Sequence, residues 1–125
     1  MRQSRSVRRP GLLLLSAICW AATSALAAEY FIAPTGRDDA AGSREAPFAT
    51  VQRAQAAAAP GDTVWIRGGT YVMTEAQIAR RDRIYACVTY LDKSGEPDRP
   101  IRYWAWPGER AVFDFTAVKP AGQRV

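Results

Sequence analysis

Histidine is absent from all 125 residues. That removes Ser-His and Cys-His nucleophile pairs and the common histidine-based zinc sites. Cysteine is nearly absent, with Cys19 and Cys87 alone, and lysine is confined to Lys93 and Lys119. Long apolar runs are missing too, apart from Leu12 to Ala22. That run is too short, and too rich in small residues at its end, for a spanning helix. Nothing later in the chain is apolar enough to cross a bilayer.

The apolar run reads as the centre of a secretory leader. Arg2, Arg5, Arg8 and Arg9 form a basic segment ahead of it, and Ala25-Leu26-Ala27 fits the small-x-small rule for cleavage. Residues 1–27 are therefore expected to be a signal peptide, with Ala28 as the mature start. Val7 before Arg8-Arg9 and Pro10-Gly11 after them favour general secretion over the twin-arginine route. Bulky Ile18 ahead of Cys19 argues against a lipidated cysteine. The expected location is secreted or periplasmic, with no membrane contact after the leader leaves.

Removing the leader changes every bulk quantity. The whole chain carries a net charge of +5, but four basic residues and no acids lie in the leader. Thirteen basic and twelve acidic residues remain, so the mature chain is nearly neutral. Its high isoelectric point therefore does not indicate a nucleic-acid partner. Cys87 is left alone, so no internal disulfide is possible, and it is expected to be a buried small hydrophobe. Residues 28–125 suffice for one small core.

The mature chain opens with Tyr30-Phe31-Ile32-Ala33, a β-prone run closed by Pro34 and Gly36. A polar loop over residues 35–47 carries Asp38, Asp39 and Glu45. Three loop acids without a ligand rhythm are expected to be solvated rather than to hold calcium. A helix follows, with Thr50 as N-cap or Pro47 in its first turn. Phe48, Val51, Ala54 and Ala58 fall on one side of it, and Gln52, Arg53 and Gln55 elsewhere. Pro60-Gly61 ends it. Such a helix could cover the end of a stack of strands, which would otherwise expose unpaired backbone.

Short β-prone runs then recur: Thr63 to Arg67, Thr70 to Met73, Ile84 to Leu91, Ile101 to Trp106 and Ala111 to Phe115. Gly68-Gly69 marks a sharp turn. Residues 74–83 form a polar excursion whose Arg80, Arg81 and Arg83 could meet an anionic polysaccharide. The expectation is instead a solvated loop, partly neutralised by Glu75 and Asp82. Alternation puts Trp104 and Trp106 on one face and Tyr103 on the other. The tryptophans could stack on sugars, but packing is the expectation. One helix among many short strands suggests an all-β stack.

Three segments in order carry a resemblance. They are Ala46-Pro-Phe-Ala-Thr-Val-Gln-Arg-Ala, Pro60-Gly-Asp-Thr-Val-Trp-Ile-Arg-Gly-Gly-Thr-Tyr, and Pro100-Ile-Arg-Tyr ahead of Pro107-Gly-Glu-Arg-Ala-Val-Phe-Asp. Behind a leader, this order resembles the opening of pectate-lyase-like proteins, with the family 9 polysaccharide lyases as the family it is most similar to. The resemblance implies an all-β, right-handed parallel β-helix over residues 28–125, with one capping α-helix. It also implies that these are only the cap and first coils, a fragment whose uncovered edge leaves it marginally stable and prone to aggregate.

For a complete lyase the resemblance implies β-elimination on a polyuronate. A calcium ion held by aspartates acidifies the proton beside the carboxylate, and a lysine or arginine removes it. Those groups belong to later coils. Neither Lys93 nor Lys119 has an aspartate cluster beside it in sequence. No catalytic, cofactor-binding or metal-binding residue is therefore assigned in this chain, and calcium is expected only for the full-length lyase. The expected partner is an acidic polysaccharide met through later coils, with the chain itself a monomer. The rival reading is a non-catalytic, adhesin-like carbohydrate-binding protein, and the third is a degenerate gene without a folded product.

Overall fold

The computed structural model describes residues 26–83 and 85–119. Save for Leu26 and Ala27, the expected leader lies outside them. The elements run β1 (Glu29–Ile32), α1 (Val51–Ala57), β2 (Thr63–Ile66), β3 (Gly69–Val72), a 3-10 turn (Glu75–Gln77), β4 (Arg80–Arg81), β5 (Ala86–Cys87), β6 (Arg102–Ala105) and β7 (Ala111–Asp114).

The expected parallel stack is present. Strand β2 lies between β1 and β6, with Tyr30, Val64 and Tyr103 on one rung and Phe31, Trp65 and Trp104 on the next. Strand β3 pairs in parallel with β7, matching Gly69 to Ala111 and Tyr71 to Phe113. Thus β2–turn–β3 is one coil and β6–turn–β7 the coil stacked on it. Residues one apart face opposite sides. Ile32 and Val64 are wholly buried, while Tyr30, Ile66 and Tyr103 pack against the same core.

The turn from β2 to β3 needs both of its glycines. Gly69 has φ of +123°, which disfavours any residue with a side chain. At Gly68 a Cβ would lie 2.9 Å from the Cβ of Glu109 in the next coil. That close approach lets Glu109 reach back. Its carboxylate accepts from the Gly68 amide at 2.6 Å and from the Arg67 guanidinium at 2.9 and 2.7 Å. Tyr71 ties the coils from within. Its ring stacks on Phe113 at 4.8 Å, and its hydroxyl lies 2.7 Å from the Arg67 carbonyl and 3.1 Å from that of Ile32.

The first edge of the stack is closed. The Phe31 amide donates to Gly42, the Phe48 amide to Phe31, and the Ala33 amide to Phe48. Phe48 itself is 1% exposed. Helix α1 packs on β1 and sends Val51 and Ala54 into the core. Thr50 caps it, accepting from the Arg53 amide at 3.1 Å. The helix stops at Ala57, and Ala58 is already extended, so the alanine run contributes less helix than its propensity suggests.

Two expectations change. Within the run Ile84 to Leu91, Ala86–Cys87 alone forms a strand among the described residues, antiparallel to Arg80–Arg81, in a hairpin that takes up part of the polar excursion. The segment after it is held by side chains instead. Gln52 accepts from the Tyr90 amide and donates to the Tyr90 carbonyl, and Gln55 does the same with Asp92 N and Tyr90 O. Gln55, placed off the packed face from sequence, is consequently buried. Cys87, expected buried, is half-buried on the hairpin.

This packing makes two consequences measurable. Phe48→Ala should cost about 3–5 kcal/mol, because the ring fills the closed end and nothing collapses into its space; urea unfolding measures it. Glu109 is held down at about 2 by its bonds from Arg67 and then from the Gly68 amide. Its stabilisation is complete above the ordinary carboxylate value of 4.5 and is lost as pH falls toward 2. Glu109→Gln should therefore lower the unfolding midpoint at neutral pH, and the gap from wild type should close on acidification through that window.

Candidate functional site

Cleavage of an acidic polysaccharide would need an anion-binding cleft, a free base and a cation site. Arginines are the main positive charge. Arg44, Arg67 and Arg110 line a shallow cleft with Pro34, Thr70 and Glu109. Arg67 is committed to Glu109, with N–O at 2.7 Å. Its guanidinium also sits 5.6 Å from the Trp106 ring, and that of Arg44 sits 5.1 Å from the same ring. Burial of the pair is partial, and the carboxylate holds the Arg67 proton more firmly than usual.

The expected arginine cluster is dispersed. Arg80 bonds the Tyr90 hydroxyl and lies over its ring, while Arg81 approaches Glu75 at 3.9 Å. The bonded side chains of Arg80 and Arg81 thus serve different neighbours, and the hairpin makes no fork aimed at one anion. A solvated, partly neutralised excursion describes this region. Lys93 donates to the carbonyls of Gln55 and Ala56 at 3.3 and 3.2 Å, capping the end of α1. It is a helix cap here. Lys119 is placed by its backbone, whose amide donates to Glu75.

The loop acids do not fit a calcium ion. Both oxygens of Asp38 accept protein donors: the Ala49 and Thr50 amides at 2.9 Å on one, the Thr50 hydroxyl at 2.8 Å on the other. Asp38 thereby fixes the start of α1. Asp39 is clamped by Arg37 at 2.6 Å, which holds its carboxyl below the usual range. Among the described residues no three histidine, cysteine or carboxylate groups converge on a point. A cavity of about 240 Å³ beside α1 is lined by Asp38, Gln52, Tyr71, Gln77 and Val88, among others, with no lysine or arginine to act as base.

The aromatic residues form a ladder on the outer face. Phe31, Trp65 and Trp104 follow each other in register. Trp106 packs across them, 5.6 Å from Phe31 and 5.3 Å from Trp65, and Trp65 meets Trp104 at 5.8 Å. The two tryptophans share a face, as alternation predicts, and Tyr103 points the other way, toward the core. Exposure climbs along the ladder, from 7% at Phe31 to 54% at Trp104. Among the described residues the aromatic face is thus covered at Phe31 and open at Trp104.

The inner face ends the same way. Val51, Ile66, Leu91, Tyr103, Phe113 and Phe115 line an apolar mouth over the last coil. Tyr103 Oη is shut inside without a hydrogen-bond partner, and burial raises its titration point. A buried hydroxyl left unpaired costs roughly 1–3 kcal/mol. Sequence reasoning assigned no catalytic group here, and the mouth is an exposed apolar surface of the described coils.

Comparison with known proteins fits this geometry. The family model for Pel9A-like right-handed β-helix regions matches residues 30–125. The pectate lyase PEL9 of Emericella nidulans is 35% identical over 89 residues, covering 71% of this chain and 19% of that protein. A solved rhamnogalacturonan lyase superposes with a TM-score of 0.70 at 39% identity, over 77% of this chain and 24% of the other. A glycoside hydrolase superposes at 0.51 and 24% identity, over 70% of this chain and 15% of its own, which bears on the fold alone. The chain thus spans about a fifth to a quarter of the length of the first two relatives. Among the described residues, no helix is long and apolar enough to cross a membrane. The parallel coils, their helical cover and the match over residues 30–125 together place the chain in the Pel9A-like right-handed β-helix family.

Proposed function

We propose that this chain supplies the cap and first coils of an exported polysaccharide lyase acting on a polyuronate, with the reacting groups on coils stacked beyond β6 and β7. One observation carries the reading: the apolar mouth around Tyr103 and Phe113 lies over two parallel strands that each have one neighbour. Further parallel strands would pair with both, bury Leu91 and Phe115, and complete the tryptophan ladder. The pectate lyase and rhamnogalacturonan lyase relatives support an acidic pectic polymer as the substrate class.

The chemistry assigned to the whole protein is β-elimination. A base takes the proton beside the uronate carboxylate, the glycosidic oxygen leaves from the next carbon, and a double bond conjugated to the carboxylate remains. The described coils hold Lys93 on the end of α1 and Arg67 on Glu109, so the first step is assigned elsewhere. Their part is to start the register that later coils inherit.

Purified chain mixed with polygalacturonate should therefore give no rise in ultraviolet absorbance from unsaturated uronate; a rise would overturn the division of labour. The intact mass of the product exported by the native organism tests the rest. A species well above the 13.7 kDa of this chain is expected. A species just below that mass would put a binding role ahead of a lyase.

A further inference from the structure

The packed body begins at one residue. Leu26 is 93% exposed and Ala27 is exposed, whereas Ala28 is held on both sides. Its carbonyl accepts from the Thr63 amide at 3.0 Å, forming the first rung before β1. Its nitrogen donates to Oδ1 of Asp62 at 2.8 Å. Asp62 is 5% exposed. Its other oxygen accepts from the Ala59 amide at 2.8 Å, and its own backbone carbonyl accepts from Arg102.

Asp62 is thus a buried carboxylate whose bonds come from neutral amides. Burial of a charge is tolerated when an opposite charge meets it. The nearby basic side chains are occupied elsewhere. Arg99 reaches the Pro60 carbonyl at 2.7 Å and Glu96 at 3.7 Å, and Arg102 lies over Trp104. The neighbouring acid, Glu29, accepts from the Trp65 indole. Among the described residues no ammonium or guanidinium is seen on the Asp62 carboxylate.

We propose that Asp62 is the receiving site for the chain's own amino terminus, created when a leader peptidase cuts between Ala27 and Ala28. Water adds across that peptide bond. Ala27 departs with the carboxylate, and Ala28 keeps the nitrogen, which takes up a proton as an ammonium. The neutral amide on Asp62 becomes a charged donor at the same place, without movement of the backbone. Export and cleavage thereby lock the first rung of the stack, and the fold is at its firmest only after the leader has gone. The proposal rests on removal of the leader, not on any lyase activity.

Amino-terminal sequencing of the exported product reads the junction, and Ala28 is the expected first residue. Any other start overturns the assignment. The charge is read by a thermal double-mutant cycle comparing the processed product with the leader-bearing full chain, each with and without Asp62→Asn. The substituted amide is nearly isosteric with the carboxylate and spoils the Ala59 bond equally in both forms, and effects of the leader on folding cancel. The expected result is a larger drop in midpoint for the processed product, by about 4–8 °C, which corresponds to roughly 1 kcal/mol of coupling. Equal drops in the two forms would refute the ion pair. Alkaline titration gives a second reading. A paired ammonium is stabilising below the ordinary α-amino value of about 8 and loses that contribution as pH rises beyond it. The excess of the processed wild type over its Asp62→Asn variant should shrink there, and a constant excess would count against the proposal.

Discussion

Everything in this chain depends on satisfying the backbone of a parallel stack at its first edge. An interior strand such as β2 pairs its amides and carbonyls with the strands to either side. The first strand has a neighbour on one side only, and water or a partner must serve the other. Here the loop carrying Gly42 and Phe48 supplies the missing bonds to Phe31 and Ala33. Helix α1 then roofs the same end with Val51 and Ala54. Asp38 makes this possible, binding two amides and a hydroxyl at the helix start, where the sequence suggested a solvated acid.

Once the first edge is closed, register propagates by contacts between corresponding points of successive coils. The Tyr71–Phe113 stack does this inside, and the Phe31–Trp65–Trp104 ladder does it outside. Glu109 does it at the corner, reaching from one turn to the amide and guanidinium of the turn below. The three devices differ in their sensitivity to conditions. Aromatic stacking changes little with acid, whereas the corner clamp exists only while Glu109 is ionised. Coupling of one coil to the next is therefore partly electrostatic, although the stack itself is held by apolar burial and parallel ladders.

Local signals made the strands and the capping helix legible in the sequence. Thr50 announces the N-cap and Gly68-Gly69 the corner, whereas the helix ends at Ala57, ahead of Pro60-Gly61. Alternation correctly separated Tyr103 from Trp104. The excursion between β3 and β6 was not legible, because its order comes from tertiary bonds. Gln52 and Gln55 look like the solvent face of a helix, yet they replace a strand as the partners of Tyr90. A glutamine side chain carries the same donor and acceptor pair as a peptide group, and nothing in a helical wheel reveals that use. The roles of Asp62 and Glu109 were hidden for the same reason. Each is a lone acid in a turn, with a donor distant in sequence: Ala28 for Asp62 and Arg67 for Glu109.

The fate of the polar groups also shows how the described coils use several of their cations. Lys93 has its ammonium on helix carbonyls, and Arg67 is held protonated by Glu109. Arg44 lies on the Trp106 face and Arg80 on Tyr90. For Arg67 the bond to the Glu109 carboxylate favours the protonated form. The cap thus uses these cations as structural contacts. In a solenoid each coil is built separately, so the described coils can be devoted to closing an edge and setting the register.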